Sequence, residues 1–250
     1  MKLSEGVYLV GSGLAGMGLT DDFDCHIYMV ACGGGEHVLI DSGAGRDVEG
    51  ILGVIAGDGL DPASVTAILL THQHADHSGG AAALRERLGS QPRVLASPHA
   101  ADLVARGDEA ALSLPAARAA GIYPPEYRYR ACPTEGTLVE GFRLRIGQRA
   151  FTVLETPGHC NGHLSFLVDG PEGPVLFGGD AVFAGGQILL QNIPDCSIWD
   201  YGRTIERLAT LSLTTLFPGH LAPVLRRAHC HVEMARASFV ERLLPPRNIL

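Results

Sequence analysis

The sequence predicts an α/β protein, because segments with the pattern of β-strands alternate with segments that have the pattern of helices. The clearest case is the apolar run at residues 67–70, typical of a buried strand, which a polar loop connects to a helical pattern at 81–88. Before it, residues 27–32 and 37–40 flank three glycines and predict a β-hairpin. A similar order of strands and then helices returns in the second half of the chain.

Composition and length bound the class of protein. With 250 residues, 46% of them hydrophobic, the chain can bury a sizeable core, and we predict a single domain over residues 1–250 with a helical insertion around 98–130. The net charge of −8 argues against a nucleic-acid partner. No apolar run approaches the roughly 18 residues that span a membrane. The six scattered cysteines and the absence of a signal-peptide pattern favour a cytoplasmic location.

The loop that follows the strand at 67–70 has the composition of a metal site. Within six positions it carries His72, His74, Asp76 and His77. Neutral imidazole suits zinc and iron, and a carboxylate adds a charged oxygen ligand. A loop at the end of a strand can direct several side chains to one point, so this spacing predicts metal binding.

This His-x-His-x-Asp-His loop resembles the signature loop of the metallo-β-lactamase-fold superfamily. Three segments further along the chain resemble the other metal loops of that family and occur in the family order. They are residues 156–159, ending in His159, residues 178–180, ending in Asp180, and residues 217–220, ending in His220. Together the four segments span most of the chain.

The resemblance implies an αββα sandwich, in which two mixed β-sheets lie between outer helices, and a glyoxalase II-like or lactonase-like member of the family. It also implies a ligand set for two metals. His72, His74 and His159 would hold the first metal, Asp76, His77 and His220 the second, and Asp180 would bridge them. We expect two zinc ions per chain, with iron or manganese as alternatives. Asp41, in an Asp-x-Gly segment, and His163 would support the metal loops from behind the ligands.

The implied activity is metal-dependent hydrolysis. A hydroxide that bridges the metals would attack a carbonyl group in a small ester, lactone, thioester or lactam. Asp76 is the catalytic candidate, because it could pass a proton to the leaving group. The expected partner is therefore a small-molecule substrate, and a homodimer stays open.

Two alternatives stay open at this stage. A mononuclear iron dioxygenase that acts on a persulfide or thiol would need only His72, His74 and His159 as ligands. A phosphoesterase or a non-catalytic binding protein could also use the same fold. The presence of all the ligands for a second metal favours the hydrolase.

The sequence departs from known subfamilies at informative places. Residues 181–187 lack the segment that usually follows the aspartate in glyoxalase II and persulfide dioxygenases, and the chain ends soon after His220 for a glutathione-binding helical domain. Phe183 stands where acyl-homoserine lactonases carry a tyrosine. Lys2 is the only lysine, so lysine-dependent recognition of β-lactams is not expected.

The remaining patterns give weaker predictions. The Gly-x-Gly-x-x-Gly spacing at residues 11–16 lacks the following helix that a dinucleotide site needs, so we interpret it as a surface loop. Three tyrosines within residues 123–129 fit a pocket mouth or ordinary packing, and we favour packing. We expect helices at 48–55, 99–105, 205–211 and 228–243, a first strand at 7–10 and irregular chain at 187–201. His26 and His37 are interpreted as structural; His99, His229 and His231 are interpreted as surface residues.

Overall fold

A computed structural model describes residues 1–241 and 243–249, and within it the chain forms two compact units. The first unit contains Met1–Leu138 and Ile146–Gln148, and the second contains Val139–Arg145 and Arg149–Leu250. The single domain expected over residues 1–250 stays a prediction.

The first unit contains a seven-stranded mixed sheet whose strands follow one another in chain order. The strands are β1 (Lys2–Ser4), β2 (Val7–Gly11), β3 (Ile27–Gly33), β4 (Glu36–Ile40), β5 (Val65–Leu69), β6 (Arg93–Ala96) and β7 (Gly136–Thr137). Pairing is antiparallel from β1 to β4 and parallel from β4 to β7. The predicted hairpin is confirmed as β3 and β4. The predicted first strand is preceded by a shorter one, β1, which is too short for a periodic signal.

Five helices belong to the first unit: α1 (Val48–Gly57), α2 (Ala75–Ser78), α3 (Ala81–Arg87), α4 (Pro98–Arg106) and α5 (Leu114–Ala119). The start of α4 follows directly from the sequence. The Ser97 side chain accepts a hydrogen bond from the Ala100 N–H, and Pro98 lacks an N–H at a position where the helix has no acceptor for one. The insertion predicted around 98–130 contributes α4 and α5, and the chain after α5 has no regular secondary structure up to residue 130.

The three tyrosines of the insertion pack into the core of the first unit. Tyr123, Tyr127 and Tyr129 are 8%, 6% and 8% exposed and join the cluster of buried apolar side chains. The packing interpretation is therefore confirmed, and their hydroxyl groups find partners that the sequence did not indicate.

The glycine-rich loop after β2 contains turns and bends instead of a helix over residues 12–26, all of which are described. This geometry lacks the helix N-terminus that a dinucleotide site requires. Asp24 closes the loop: its carboxylate accepts from the Thr20 hydroxyl at 2.6 Å and from the Ala44 N–H at 2.8 Å. Burial raises the pKa of Asp24 to about 6.

The second unit contains a five-stranded mixed sheet in the order β12-β11-β10-β9-β8. Its strands are β8 (Arg143–Ile146), β9 (Arg149–Glu155), β10 (Leu164–Gly170), β11 (Gly173–Gly179) and β12 (Thr215–Pro218). All of their residues except Ile146 belong to the second unit. The pairs β9–β10 and β10–β11 are antiparallel, and β11–β12 is parallel. Two helices accompany the sheet, α6 (Ile198–Ala209) and α7 (Ala228–Val240).

Three boundaries in the second unit differ from the predictions. The helix expected from residue 205 begins at Ile198, because the Ser197 side chain accepts from the Asp200 N–H and supplies an N-cap inside the segment interpreted as irregular. The last helix ends at Val240 instead of 243, and residue 242 lies outside the described residues. Alternation over residues 138–154 predicts Phe142, Leu144 and Ile146 on one face of a strand. Phe142 instead precedes β8 and is 47% exposed, so only Leu144 and Ile146 form the buried face of that strand.

In the part of the chain that the structure describes, none of the helices is both long enough and apolar enough to cross a bilayer.

Candidate functional site

The metal loop predicted in the first unit begins where the buried strand β5 ends. Parallel neighbours pair with β5 on both sides, so its carboxyl end is fixed within the sheet. The turn that follows is held by Ser78, whose hydroxyl lies 2.7 Å from the Gln73 carbonyl oxygen and 3.1 Å from that of His74. The short helix α2 then places Asp76 and His77 on one turn.

Asp41 fixes the orientation of His77. It follows β4, and one of its carboxylate oxygens lies 2.9 Å from Nδ1 of His77. A carboxylate only accepts hydrogen bonds, so Nδ1 carries the proton and the neutral ring has its lone pair on Nε2. Burial raises the pKa of the Asp41 carboxyl, and hydrogen bonds from His77 and Thr71 oppose that shift. The expected contact of Asp41 with the metal loop is thus present, and its role in supporting a metal ligand stays a prediction.

Thr71 extends the same support to His72. Its N–H and its hydroxyl both donate to the Asp41 carboxylate, at 2.7 and 2.8 Å. The single hydroxyl proton is thereby used, so the contact of 3.0 Å between Thr71 Oγ1 and His72 Nδ1 requires the ring to donate. The His72 lone pair is then also on Nε2. One buried carboxylate therefore sets the tautomers of two predicted ligands.

The spacing of the ligand atoms in the first unit fits a cation. Nε2 of His72 lies 3.1 Å from Nδ1 of His74, and Nε2 of His77 lies 3.5 Å from Oδ2 of Asp76. Two ligands of one tetrahedral cation, each about 2.0–2.1 Å from it, are about 3.3–3.4 Å apart. The four predicted residues of this loop thus form two pairs with the spacing that a shared metal ion demands.

Cys25 lies beside this network and was not predicted there. Its sulfur and the ligand atoms of Asp41 and His77 all lie within 4.8 Å of one another, and all three residues are buried. Burial raises the pKa of the Cys25 thiol far above its ordinary value. The thiol therefore stays protonated near neutral pH, which suits packing better than metal binding.

In the second unit, His159 is held by the backbone. The segment after β9 turns at Gly158, whose φ is +138° and where an added Cβ would lie 2.6 Å from Cγ of Tyr201. Nδ1 of His159 lies 3.1 Å from the Leu189 carbonyl oxygen, an obligatory acceptor, so its lone pair is on Nε2 as well. No sequence signal pointed to Leu189, because a backbone carbonyl can come from any residue.

Asp180 follows β11 and is fixed through its own backbone. Its N–H donates to Nε2 of His163 at 3.0 Å, and the other ring nitrogen of His163 lies 2.8 Å from the Thr156 hydroxyl. Tyr201, which is fully buried, donates its hydroxyl to the Asp180 carbonyl at 2.8 Å. Burial and the nearby Asp180 charge raise the pKa of Tyr201, which keeps it protonated. His163 therefore contacts the loop that it was expected to support, and the contact of Tyr201 was not predicted.

His220 completes the predicted set in the second unit. It follows β12, where the Gly219 N–H donates to the Gly179 carbonyl at 2.7 Å and joins the last two loops. Oδ2 of Asp180 lies 3.5 Å from Nε2 of His159 and 3.5 Å from Nε2 of His220. One carboxylate oxygen therefore stands at the ligand-to-ligand spacing from two imidazoles, as a shared ligand would.

The other histidines match their sequence interpretations with one refinement. Ser64 contacts His37 at 2.8 Å, and His26 is buried, so both have structural surroundings. His99 and His229 are exposed. His231 is only partly exposed and accepts a hydrogen bond of 2.7 Å from the Gly185 N–H, so it holds a turn of the second unit.

Several relatives share sequence with this chain. A hydroxyacylglutathione hydrolase of Cereibacter sphaeroides is 33% identical over 62% of this chain and 48% of its own. Another from Xanthomonas axonopodis pv. citri is 29% identical over 88% of this chain and 70% of its own. An acyl-coenzyme A thioesterase of Bos taurus is 33% identical over 60% of this chain and 54% of its own. The matched region spans about half the length of the first and third relatives.

A solved structure and a family model also match this chain. A solved metallo-beta-lactamase family protein from Thermus thermophilus is similar with a TM-score of 0.73 and 25% identity, covering 97% of this chain and 82% of that one. Two mixed β-sheets accompanied by helices are thus the metallo-β-lactamase fold. The model of the metallo-beta-lactamase superfamily matches residues 20–220. The chain therefore belongs to the metallo-beta-lactamase superfamily.

Proposed function

We propose that this protein is a metal-dependent hydrolase that cleaves the thioester or ester bond of a small molecule. The observation that carries the proposal is the orientation of three histidines. His72, His77 and His159 each direct Nδ1 to an acceptor and so have the lone pair of Nε2 for a cation. Relatives named for hydroxyacylglutathione and acyl-coenzyme A hydrolysis support thioesters as the first substrates to test.

The proposed ligands are the seven residues expected from the family resemblance. They are His72, His74 and His159 for one cation, Asp76, His77 and His220 for another, and Asp180 for both. The spacings within each unit support this set. Zinc is the proposed metal, at two ions per chain, because imidazole and carboxylate ligands suit it; iron and manganese are the alternatives.

When bound, two divalent cations lower the pKa of water and polarise a carbonyl oxygen. The chain supplies orientation. Asp41 and Thr71 hold the imidazoles of the first unit in the tautomer that a cation needs. Asp76 is proposed to pass a proton to the leaving group. The leaving group of a thioester is a thiolate, whose thiol form has a pKa of about 8.5, so it departs without a proton more readily than an alkoxide does. Proton transfer from Asp76 therefore matters more for an oxygen ester.

Phe183 supports thioesters and simple esters over acyl-homoserine lactones. It is fully buried, and its ring centroid lies 6.3 Å from that of His220. A phenylalanine cannot donate the hydrogen bond that a tyrosine at this position would offer to a substrate oxygen. Other lactones and lactams stay in the substrate panel. A cytoplasmic location and a homodimer stay predictions.

Hydrolysis assays of matched variants test the proposal. We expect the zinc-loaded protein to hydrolyse an acyl-coenzyme A or an acyl-glutathione. Comparing the rates with these two substrates shows which thiol leaving group the protein prefers. We expect His74→Ala and Asp180→Ala each to lower kcat/KM by at least about 10³-fold, since each loses a ligand. His99→Ala removes an exposed histidine and serves as the control.

Two results would count against the hydrolase. Full activity in either ligand variant would show that the reaction does not use these residues. Oxygen uptake with a persulfide by iron-loaded protein, without hydrolysis of any ester, thioester, lactone or lactam, would favour the dioxygenase.

A further inference from the structure

The insertion of the first unit sends three tyrosine hydroxyls to the chain around the metal loop. Tyr127 donates to the Ala44 carbonyl at 2.8 Å, and the Tyr129 hydroxyl lies 2.8 Å from that of Ser78. Tyr123 donates to Oδ1 of Asp76 at 3.1 Å. Of these three contacts, only that of Tyr123 reaches a proposed metal ligand.

The ring of Tyr123 has two aromatic neighbours. Tyr127 stacks on it, with centroids 5.0 Å apart and ring planes at 17°. Phe23 contacts it with centroids 5.7 Å apart and planes at 32°. Since the ring is also 8% exposed, it has little freedom to leave its rotamer. The hydroxyl is therefore presented to Asp76 at a fixed position.

An ion pair locks the backbone that carries these rings. Arg118 donates to the Glu109 carboxylate at 2.7 Å and to the Tyr127 carbonyl at 2.8 Å. The other oxygen of Glu109 accepts from the Tyr129 N–H at 2.9 Å. Both charged side chains are largely covered, at 17% and 25% exposure, so the pair is ordered more than an ordinary surface pair. The insertion is thus built to hold residues 123–129 in place.

The two carboxylate oxygens of Asp76 have different neighbours. Oδ1 accepts from Tyr123, whereas Oδ2 lies 3.5 Å from Nε2 of His77, at the spacing of two ligands on one cation. We propose that Tyr123 is a positioning residue that holds Oδ1 and thereby turns Oδ2 toward the cation shared with His77. This inference rests on the proposed function, because it assumes that Asp76 and His77 bind a metal.

Loss of the Tyr123 hydroxyl should lower the affinity for the metal and hardly change the stability of the fold. Tyr123→Phe keeps the ring and its aromatic contacts but lets the Asp76 carboxylate rotate about its Cβ–Cγ bond. Removing a group that orients a metal ligand lowers metal affinity by about 10–100-fold. Because only one hydrogen bond to the carboxylate is lost, we expect the lower end of that range.

Cobalt titration of the full chain tests the inference, since Co²⁺ reports its ligand geometry in the visible spectrum. We expect Tyr123→Phe to weaken the binding of one of the two cobalt ions by about 10-fold and to shift the absorption bands of that ion. Tyr127→Phe is the matched control, because it deletes a buried hydroxyl bonded to a backbone carbonyl and should leave cobalt affinity and spectrum unchanged. In an Asp76→Ala background, Tyr123→Phe should have no further effect on cobalt binding.

Failure of the proposed function and failure of the inference about Tyr123 give different results. Wild-type protein that binds no cobalt would overturn the proposed function and this inference together. Wild-type protein that binds two ions, with Tyr123→Phe unchanged or no weaker than Tyr127→Phe, would overturn the inference alone. If Tyr123→Phe fails to fold, 3-fluorotyrosine placed at position 123 replaces it. Its ¹⁹F resonance should shift on zinc addition, and an unchanged resonance would contradict the proposal.

Discussion

The two units hold their predicted ligands by different means. In the first unit, the buried carboxylate of Asp41 contacts His77 directly. It also accepts from the Thr71 hydroxyl, which in turn contacts His72. In the second unit, His159 is oriented by the Leu189 carbonyl, and the backbone N–H of Asp180 is bound by His163. The Asp41 carboxylate can be removed by one substitution, whereas the Leu189 carbonyl can only be disturbed by moving the chain.

The units also differ in how the sequence brings the ligands together. The first unit has four within six positions of one loop, so local sequence shows them at once. In the second unit, three separate loops follow β9, β11 and β12. Because β9 and β11 are both antiparallel to β10, and β12 is parallel to β11, these loops leave the same edge of the sheet. Strand pairing, not sequence proximity, assembles that set.

The largest effect is expected where the second unit depends on backbone geometry. Gly158→Ala places a Cβ 2.6–2.7 Å from Cγ and backbone atoms of Tyr201 at a φ of +138°. Overpacking and backbone strain should together cost about 3 kcal/mol or more in the free energy of unfolding. Urea denaturation measures the loss. Gly53→Ala in α1, where a Cβ meets nothing within 4 Å, is the control and should stabilise by about 0.5–1 kcal/mol. Equal stability of the two variants would show that the Gly158 turn is not constrained.

A smaller effect is expected from the side-chain support of the first unit. Asp41→Asn puts an amide donor beside the donors of His77 and Thr71, so zinc affinity should fall by about 10–100-fold. Competition with a chelator measures this fall. Asp47→Asn is the matched control, because asparagine keeps the N-cap of α1. Unchanged zinc affinity in Asp41→Asn would remove the distinction between side-chain and backbone support.

The smallest effect is a pH dependence specific to the first unit. Asp24 binds its proton more tightly when folded, because burial raises its pKa from 3.8 to about 6. Between those pH values the folded state binds more protons than the unfolded state, so stability falls as pH rises through that window. From pH 5 to pH 7 the fall should be about 1–2 kcal/mol. In Asp24→Asn this decrease in stability should be absent, whereas the control Asp22→Asn, which changes an exposed residue, should retain it. The midpoints of urea denaturation at pH 5 and pH 7 measure the difference. Parallel pH profiles of Asp24→Asn and wild type would contradict it.

Much of this fold could be predicted because its signals are local. The alternation of apolar strands with helices located β3 to β5, α1, α3 and α4, and the first metal loop follows a strand as expected. The start of α6 was missed although Ser197 is a good N-cap, because the polar segment before it lacked helical periodicity. Alternation alone placed Phe142 on one face with Leu144 and Ile146, and alternation does not show where a strand begins.

The supporting residues of the site were harder to predict. Asp41 was expected only through the family resemblance. The contact of Tyr123 with Asp76 joins residues 47 positions apart, and that of Tyr201 with the Asp180 carbonyl joins residues 21 positions apart. Neither has a spacing that sequence can report, since tertiary packing alone determines which hydroxyl meets which acceptor. The run of three tyrosines within residues 123–129 was the one usable signal, and it did not indicate their contacts.

Metal content per chain, measured by elemental analysis of freshly purified protein without added metal, tests the central claim most directly. The claim is that the seven proposed ligands hold the metal ions of a hydrolase. We predict about two zinc ions per wild-type chain and a loss of metal in both His74→Ala and Asp180→Ala, one variant from each unit. One iron per chain without zinc, or metal content unaffected by both substitutions, would contradict it.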